Sequence, residues 1–174
     1  MRKLLHLSIL GIALTLWLTS CSTFSYYKIT HKEYDSLENP FVTDSVVFYF
    51  VYAPLIHDSD KITATKYTFD NGESFFTIEV SFMGDDWRFM DGDVLIRTDH
   101  RLYRFKDDEP YHKVLSGGTV HEVLEVDVQA KVLLDMISSG AVRLQYWGEP
   151  VDVTPEGLAA LSDFCSQFVL GGEE

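Results

Sequence analysis

From Ser74 to Phe82 the chain alternates, with Phe76, Ile78, Val80 and Phe82 at one parity and Thr77, Glu79 and Ser81 at the other. A period of two places each set on one face of a strand, so the segment predicts a half-buried strand. Ile62 to Phe69 also alternates but is rich in threonine, which predicts a more exposed strand. Asp70-Asn71-Gly72 lies between the two and is a tight-turn signal, so they read as a hairpin. Ser45 to Tyr52 is β-branched and aromatic with no polar face, the pattern of a strand covered on both sides.

Shorter strands follow at Trp87–Met90, Asp93–Thr98, Arg101–Phe105, Val120–Val126 and Ala141–Trp147, separated by turns rich in Asp and Gly and by a charged loop at Lys106–Pro110. An edge strand is expected near Tyr26–Thr30, before the Asn39-Pro40 turn. Helical spacing appears late. Val128, Val132, Leu133, Met136 and Ile137 share a helix face, with Asp127 as the cap and Gly140 as the stop. Thr154-Pro155-Glu156 starts a second helix with a capping hydroxyl, a proline at the first position and an acid near the positive dipole end. Leu158, Leu161, Phe164, Cys165 and Phe168 form its apolar stripe. The fold class expected is mainly β with two amphipathic helices, as a β-sandwich or a strongly bent antiparallel sheet. The alternative is an α+β layer with both helices on one face.

The first residues follow another pattern. Arg2 and Lys3 precede an apolar run from Leu4 to Leu18 that only His6, Ser8 and Thr15 interrupt. The run is shorter than the roughly 20 residues a transmembrane helix needs. Leu18-Thr19-Ser20-Cys21 closes it with an aliphatic residue, two small residues and a cysteine. This resembles the signal peptide and lipobox of bacterial lipoproteins. The resemblance implies cleavage between Ser20 and Cys21, a diacylglyceryl group on the Cys21 thiol and acylation of the new amine. Two or more chains give stable anchoring, where one binds only marginally. In lipoproteins of Gram-negative type, aspartate after the cysteine commonly retains the protein at the inner membrane. Ser22 stands there instead, which implies an outer-membrane protein facing the periplasm or the surface. The expected division is a signal at 1–20, a lipidated N-terminus with short linker at 21–44, and one β-rich domain at 45–174.

Charge narrows the partners. The chain has 27 acidic and 14 basic residues, a formal charge of −13. Removing residues 1–20, with Arg2 and Lys3 and no acid, takes it to −15. Such a balance argues against nucleic acid, whose phosphates require clustered Lys and Arg. It also argues against a polybasic second membrane signal, leaving the lipid on Cys21 as the sole expected attachment. With Cys21 acylated, Cys165 has no partner for an internal disulfide.

Candidate chemistry is sparse. Glu122 and Arg143 each sit mid-strand among apolar neighbours, and a charge there needs a partner. They are expected to form a salt bridge orienting two adjacent strands, the sharper alternative being an anion site built on Arg143. Asp85, Asp86, Asp91 and Asp93 lack calcium-loop spacing and read as turn acids. His57, His100, His112 and His121 are scattered, and the cluster of His57, Asp58 and Asp60 lacks zinc spacing. No metal and no cofactor is expected. There is no Gly-x-Ser-x-Gly elbow and no phosphate loop, and Cys165 lies on an apolar stripe, so no catalytic residue is assigned. Trp87, Tyr146 and Trp147 are candidates for a ligand groove or for core.

Trp87 to Gly148 also resembles a pattern of uncharacterised bacterial envelope proteins. An acidic turn leads to a strand with Val120-His121-Glu122-Val123, then a helix, then a strand with Val142-Arg143-Leu144 ending at Gly148. This resemblance bears on the fold and carries no activity. The function expected is that of a non-enzymatic, lipid-anchored envelope domain that binds another envelope protein or serves as a structural accessory. A small-ligand-binding lipoprotein with an aromatic pocket is the alternative, and an envelope hydrolase ranks behind both.

Overall fold

The computed structural model describes residues 29–34, 41–53, 58–148 and 150–171. The apolar run, the lipobox with Ser20 and Cys21, most of the linker and His57 lie outside the described residues. Among the described residues no helix is long and apolar enough to cross a membrane.

Among the described residues ten strands form two antiparallel sheets. They are β1 (Ile29–Tyr34), β2 (Phe41–Ala53), β3 (Asp58–Phe69), β4 (Ser74–Gly84), β5 (Asp93–Arg97), β6 (Leu102–Lys106), β7 (Tyr111–Val114), β8 (Val120–Val128), β9 (Arg143–Gln145) and β10 (Val151–Asp152). The larger sheet has the order β1-β2-β3-β4-β8-β7 and the smaller β10-β9-β5-β6. Helix α1 (Ala130–Ile137) connects β8 to β9, and α2 (Pro155–Phe168) follows β10. The fold is therefore mainly β with two separate helices, in a sandwich-like arrangement of two antiparallel sheets.

The inner face of the large sheet follows the alternation. Val46, Ile62, Ala64, Ile78, Val80, Phe82, Leu124 and Val126 are buried on it, against Val94, Ile96 and Leu144 of the small sheet and Leu133, Met136, Leu161 and Phe164 of the helices. The β3–β4 hairpin forms as expected, closed by the Asp70-Asn71-Gly72 turn, with Ala64 opposite Ile78 and Ile62 opposite Val80. Strand β3 is central rather than exposed, and Thr63 and Thr65 are buried on the outer face. Strand β2 is buried at Thr43, Asp44, Val46 and Phe48, and Val51 is exposed.

A register shift between Val47 and Tyr49 leaves Phe48 as a bulge. The extra residue returns Tyr49 to the inner face, opposite Ile62. The bulge is also where α2 docks. A Cβ on Gly157 would overlap the carbonyl oxygen of Phe48, so only glycine permits this approach. Thr154 caps the helix as expected, its hydroxyl accepting from the Gly157 N–H at 3.1 Å. At the far end Lys66 Nζ donates to the Phe168 carbonyl at 3.1 Å, placing a cation at the negative dipole end.

Several local expectations change. Strand β8 continues through Val128, which faces the core as part of the strand, so Asp127 does not cap α1 and Gln129 occupies that position. Ala141–Trp147 narrows to the three-residue β9, and Val151–Asp152 adds a strand not expected. Tyr111–Val114 also pairs, with β8. Trp87–Met90 is not a strand. It is a loop held by side chains, and it forms the candidate site.

Candidate functional site at the Trp87–Met90 loop

One row of residues crosses the inner face near the end of the large sheet. In register it runs Val51, Asp60, Phe82, Glu122, His112 through β2, β3, β4, β8 and β7. Glu122 occupies a position that alternation reserves for the core, between Val120 and Leu124, and it has no solvent exposure. A buried carboxylate needs compensation. The Trp87–Met90 loop supplies it by lying over the row.

Glu122 Oε1 accepts the backbone N–H of Arg88 at 2.5 Å and of Phe89 at 3.2 Å, and Oε2 accepts that of Met90 at 2.9 Å. His112 Nδ1 lies 3.3 Å from Oε2. Three successive N–H groups converging on one anion require the chain to curl. Phe89 accordingly has φ 55°, in the left-handed region that a bulky residue rarely adopts. Its ring points outward and is 75% exposed, while the next residue, Met90, is buried. Trp87 packs edge-on to the His112 ring at 6.0 Å and lies 6.3 Å from Phe89.

The same curl sets Arg88. Its guanidinium donates to Asp60 Oδ1 at 2.5 Å, and both side chains are largely covered, at 16% and 14% exposure. The guanidinium lies 3.8 Å from the centre of the Phe82 ring and 4.9 Å from that of Trp147. A cation between two aromatic faces gains from their quadrupoles, more so when partly desolvated. Asp60, Arg88, Tyr146, Trp147, Gly148 and Val151 line an open groove of about 360 Å³. Trp147 is 47% exposed at its mouth and Tyr146 is buried. Burial first, then the Asp60 carboxylate, holds the Tyr146 phenol well above its ordinary range, and the same two causes raise Tyr49. These phenols stay protonated near neutrality.

The expected Glu122–Arg143 bridge does not form. Glu122 faces inward on the large sheet, whereas Arg143 lies on the exposed face of the small one, opposite Arg97. Arg143 instead holds Asp152 through Nε at 2.6 Å and Nη2 at 3.2 Å. That fork raises the Arg143 pKa and lowers that of Asp152. Of the aromatic candidates, Tyr146 and Trp147 share the groove, while Trp87 flanks the loop. Among the described residues no group of three or more His, Cys, Asp or Glu is placed to hold a metal ion. Asp85, Asp86, Asp91 and Asp93 are exposed, and Asp91 Oδ1 accepts the Asp93 N–H in a side-chain turn. His121 meets Ser81 at 3.0 Å, and the His100 N–H donates to Thr98. Cys165 is free and buried, and burial pushes its thiol up to about 12.

Arg88 and Phe89 were not singled out from sequence, and Asp60 entered only with the histidine cluster. A signal was present: an acid in the inward parity of β8, and an arginine between two aromatics at Trp87-Arg88-Phe89. Comparison with family models, with curated proteins and with solved structures finds no match to this chain.

Proposed function

We propose that the chain is a lipid-anchored, non-enzymatic domain of the cell envelope that docks another envelope protein through Phe89, Arg88 and Trp147. The observation that carries this reading is Phe89, a large ring held in solvent by a backbone that a buried carboxylate fixes. Exposed aromatics beside an arginine are the residue types that dominate binding energy at interfaces. A loop already ordered by Glu122 loses little freedom on binding, so more of the contact energy becomes affinity. The resemblance at Leu18-Thr19-Ser20-Cys21 supports the anchor, and Ser22 supports the outer membrane. The second reading, a small-ligand site, rests on the Arg88–Trp147 groove, whose volume lies near the lower end for such sites.

The test is photo-crosslinking in the native membrane from the full chain, with the reactive residue placed at 89, 147 or 75. Positions 89 and 147 should give the same adduct, and position 75, an exposed aromatic on the other face of the large sheet, should not. Equal adducts at all three positions, or none at 89 and 147, overturn the docking site. Cys21→Ala should block lipid labelling and leave an uncleaved precursor, and normal labelling in that variant overturns the anchor.

A further inference from the structure

The outer face of the four-stranded sheet opposes the charge of the rest of the chain. One row runs in register through Leu102, Arg97, Arg143 and Asp152 across β6, β5, β9 and β10. The next holds Arg104, Leu95 and Gln145, and beyond it Lys106 stands opposite Asp93. This face thus presents Arg97, Arg104, Lys106 and Arg143 against Asp93 and Asp152, with Asp108 3.8 Å from Lys106 Nζ, in a chain whose acids outnumber its bases 27 to 14. Arg97 and Arg143 are direct cross-strand partners, a placement in which like charges destabilise a sheet. Asp152 occupies Arg143, while Arg97 and Arg104 have no ion pair with any described residue. Leu102, in the same row as both arginines, is 53% exposed. A shallow groove of about 190 Å³ runs among Leu95, Arg97, Leu102, Arg143 and Gln145.

We propose that this face lies on an anionic phospholipid surface, with Arg97 and Arg104 on headgroup phosphates and Leu102 dipping between them. The inference rests on the anchor reading of Cys21 and adds an orientation to it, since a lipid tether alone leaves the domain free to turn. The planar guanidinium fork matches phosphate oxygens. Strands about 4.8 Å apart spread the cations of neighbouring strands over more than one phosphate. An exposed leucine ringed by arginines fits an interface that is ionic at the surface and apolar just below. No run of basic residues announces it, because the cations come from three strands that only the fold brings together.

The full chain purified from its native membrane, with a polarity-sensitive dye on Leu102→Cys, would be placed on phosphatidylcholine vesicles and on vesicles containing phosphatidylglycerol. Cys165 is buried and Cys21 carries the lipid on the anchor reading, which leaves position 102 as the labelled thiol; the same chain without Leu102→Cys is the control for dye on Cys21. The dye emission should shift to the blue on the anionic vesicles only, and high salt should reverse it. The same dye on Phe75→Cys, on the outer face of the other sheet, should not respond. Arg97→Gln with Arg104→Gln should weaken the response about 25-fold, at about fivefold per arginine. Equal emission at 102 on both vesicle types overturns the proposal. So does the same shift with inorganic phosphate and no vesicles, which would make this a soluble phosphate site. A chain that floats with anionic vesicles only keeps the face and loses the anchor. One that floats with both but gives no shift keeps the anchor and loses the face.

Discussion

Glu122 accepts the backbone N–H of Phe89 at 3.2 Å, so a carboxylate with no solvent exposure holds in place a ring that is 75% exposed. The two residues are 33 positions apart. Their pairing joins the core of the large sheet to the most exposed aromatic among the described residues. The bond is charge-assisted and shares its acceptor with two neighbouring N–H groups, so the loop is ordered before any partner arrives.

Glu122→Gln keeps the shape but replaces one acceptor oxygen by an N–H₂ group that faces backbone donors. The expected loss is about 2–4 kcal/mol in urea unfolding, the range for a buried, hydrogen-bonded charge deprived of its partners. Phe89→Gly relieves the left-handed backbone and should leave stability unchanged or raise it by up to about 1 kcal/mol, while abolishing the crosslink from position 147. Unchanged unfolding of Glu122→Gln would mean that the carboxylate is not what holds the loop.

Gly157→Ala should destabilise the fold by about 1–3 kcal/mol through overpacking. In an open helix the same change would stabilise by nearly 1 kcal/mol. The sign reverses because the added carbon meets the Phe48 carbonyl at the β2 bulge. A thermal scan showing a raised midpoint would contradict this close approach.

His31 Nδ1 lies 2.7 Å from Asp44 Oδ1 across the β1–β2 edge. The hydrogen bond to Asp44 raises the His31 pKa above its ordinary value, with a smaller push from Glu33. A raised folded value means that the contribution is whole below the unfolded pKa of about 6.5 and is lost as pH rises through the folded one. NMR titration should place His31 above that reference, and Asp44→Asn should bring it back. Amide exchange in β1 should quicken over the same rise in pH.

Cys165, with its thiol pushed up to about 12 by burial, should not react with an aromatic disulfide reagent at pH 8. Reaction should appear only in denaturant, in step with loss of tertiary structure. Rapid labelling of the native protein would mean that the α2 stripe opens.

Legibility in the sequence follows the range of the interactions. The β3–β4 hairpin, the Thr154 cap and the apolar stripe of α2 were readable because a few neighbouring residues determine each. Asp127 was misread as a cap because Val128 satisfies a strand period as well as a helix period, and pairing with Phe76 on β4 decides for the strand. Trp87–Met90 was misread as a strand because its residues have strand composition. Its N–H groups go to Glu122 instead of a neighbouring ladder, and no local rule reveals that.

Glu122 marks the division most clearly. Its parity along β8 already placed it in the core and demanded a partner. Arg143 is the partner that its own mid-strand position suggests, but β8 and β9 belong to different sheets.

The sequence by itself determined the strand and helix periods, the turns and the second helix cap, because side-chain direction and backbone preference act within a few residues. It also determined the resemblance at Leu18–Cys21, which is a linear signal. Only the tertiary structure decided that backbone N–H groups satisfy Glu122, that Arg88 lies between Phe82 and Trp147, and that Arg97, Arg104 and Arg143 share one face. Each of these depends on which strands become neighbours. Sheet order is set by the packing of the whole core, which no local stretch of the chain encodes.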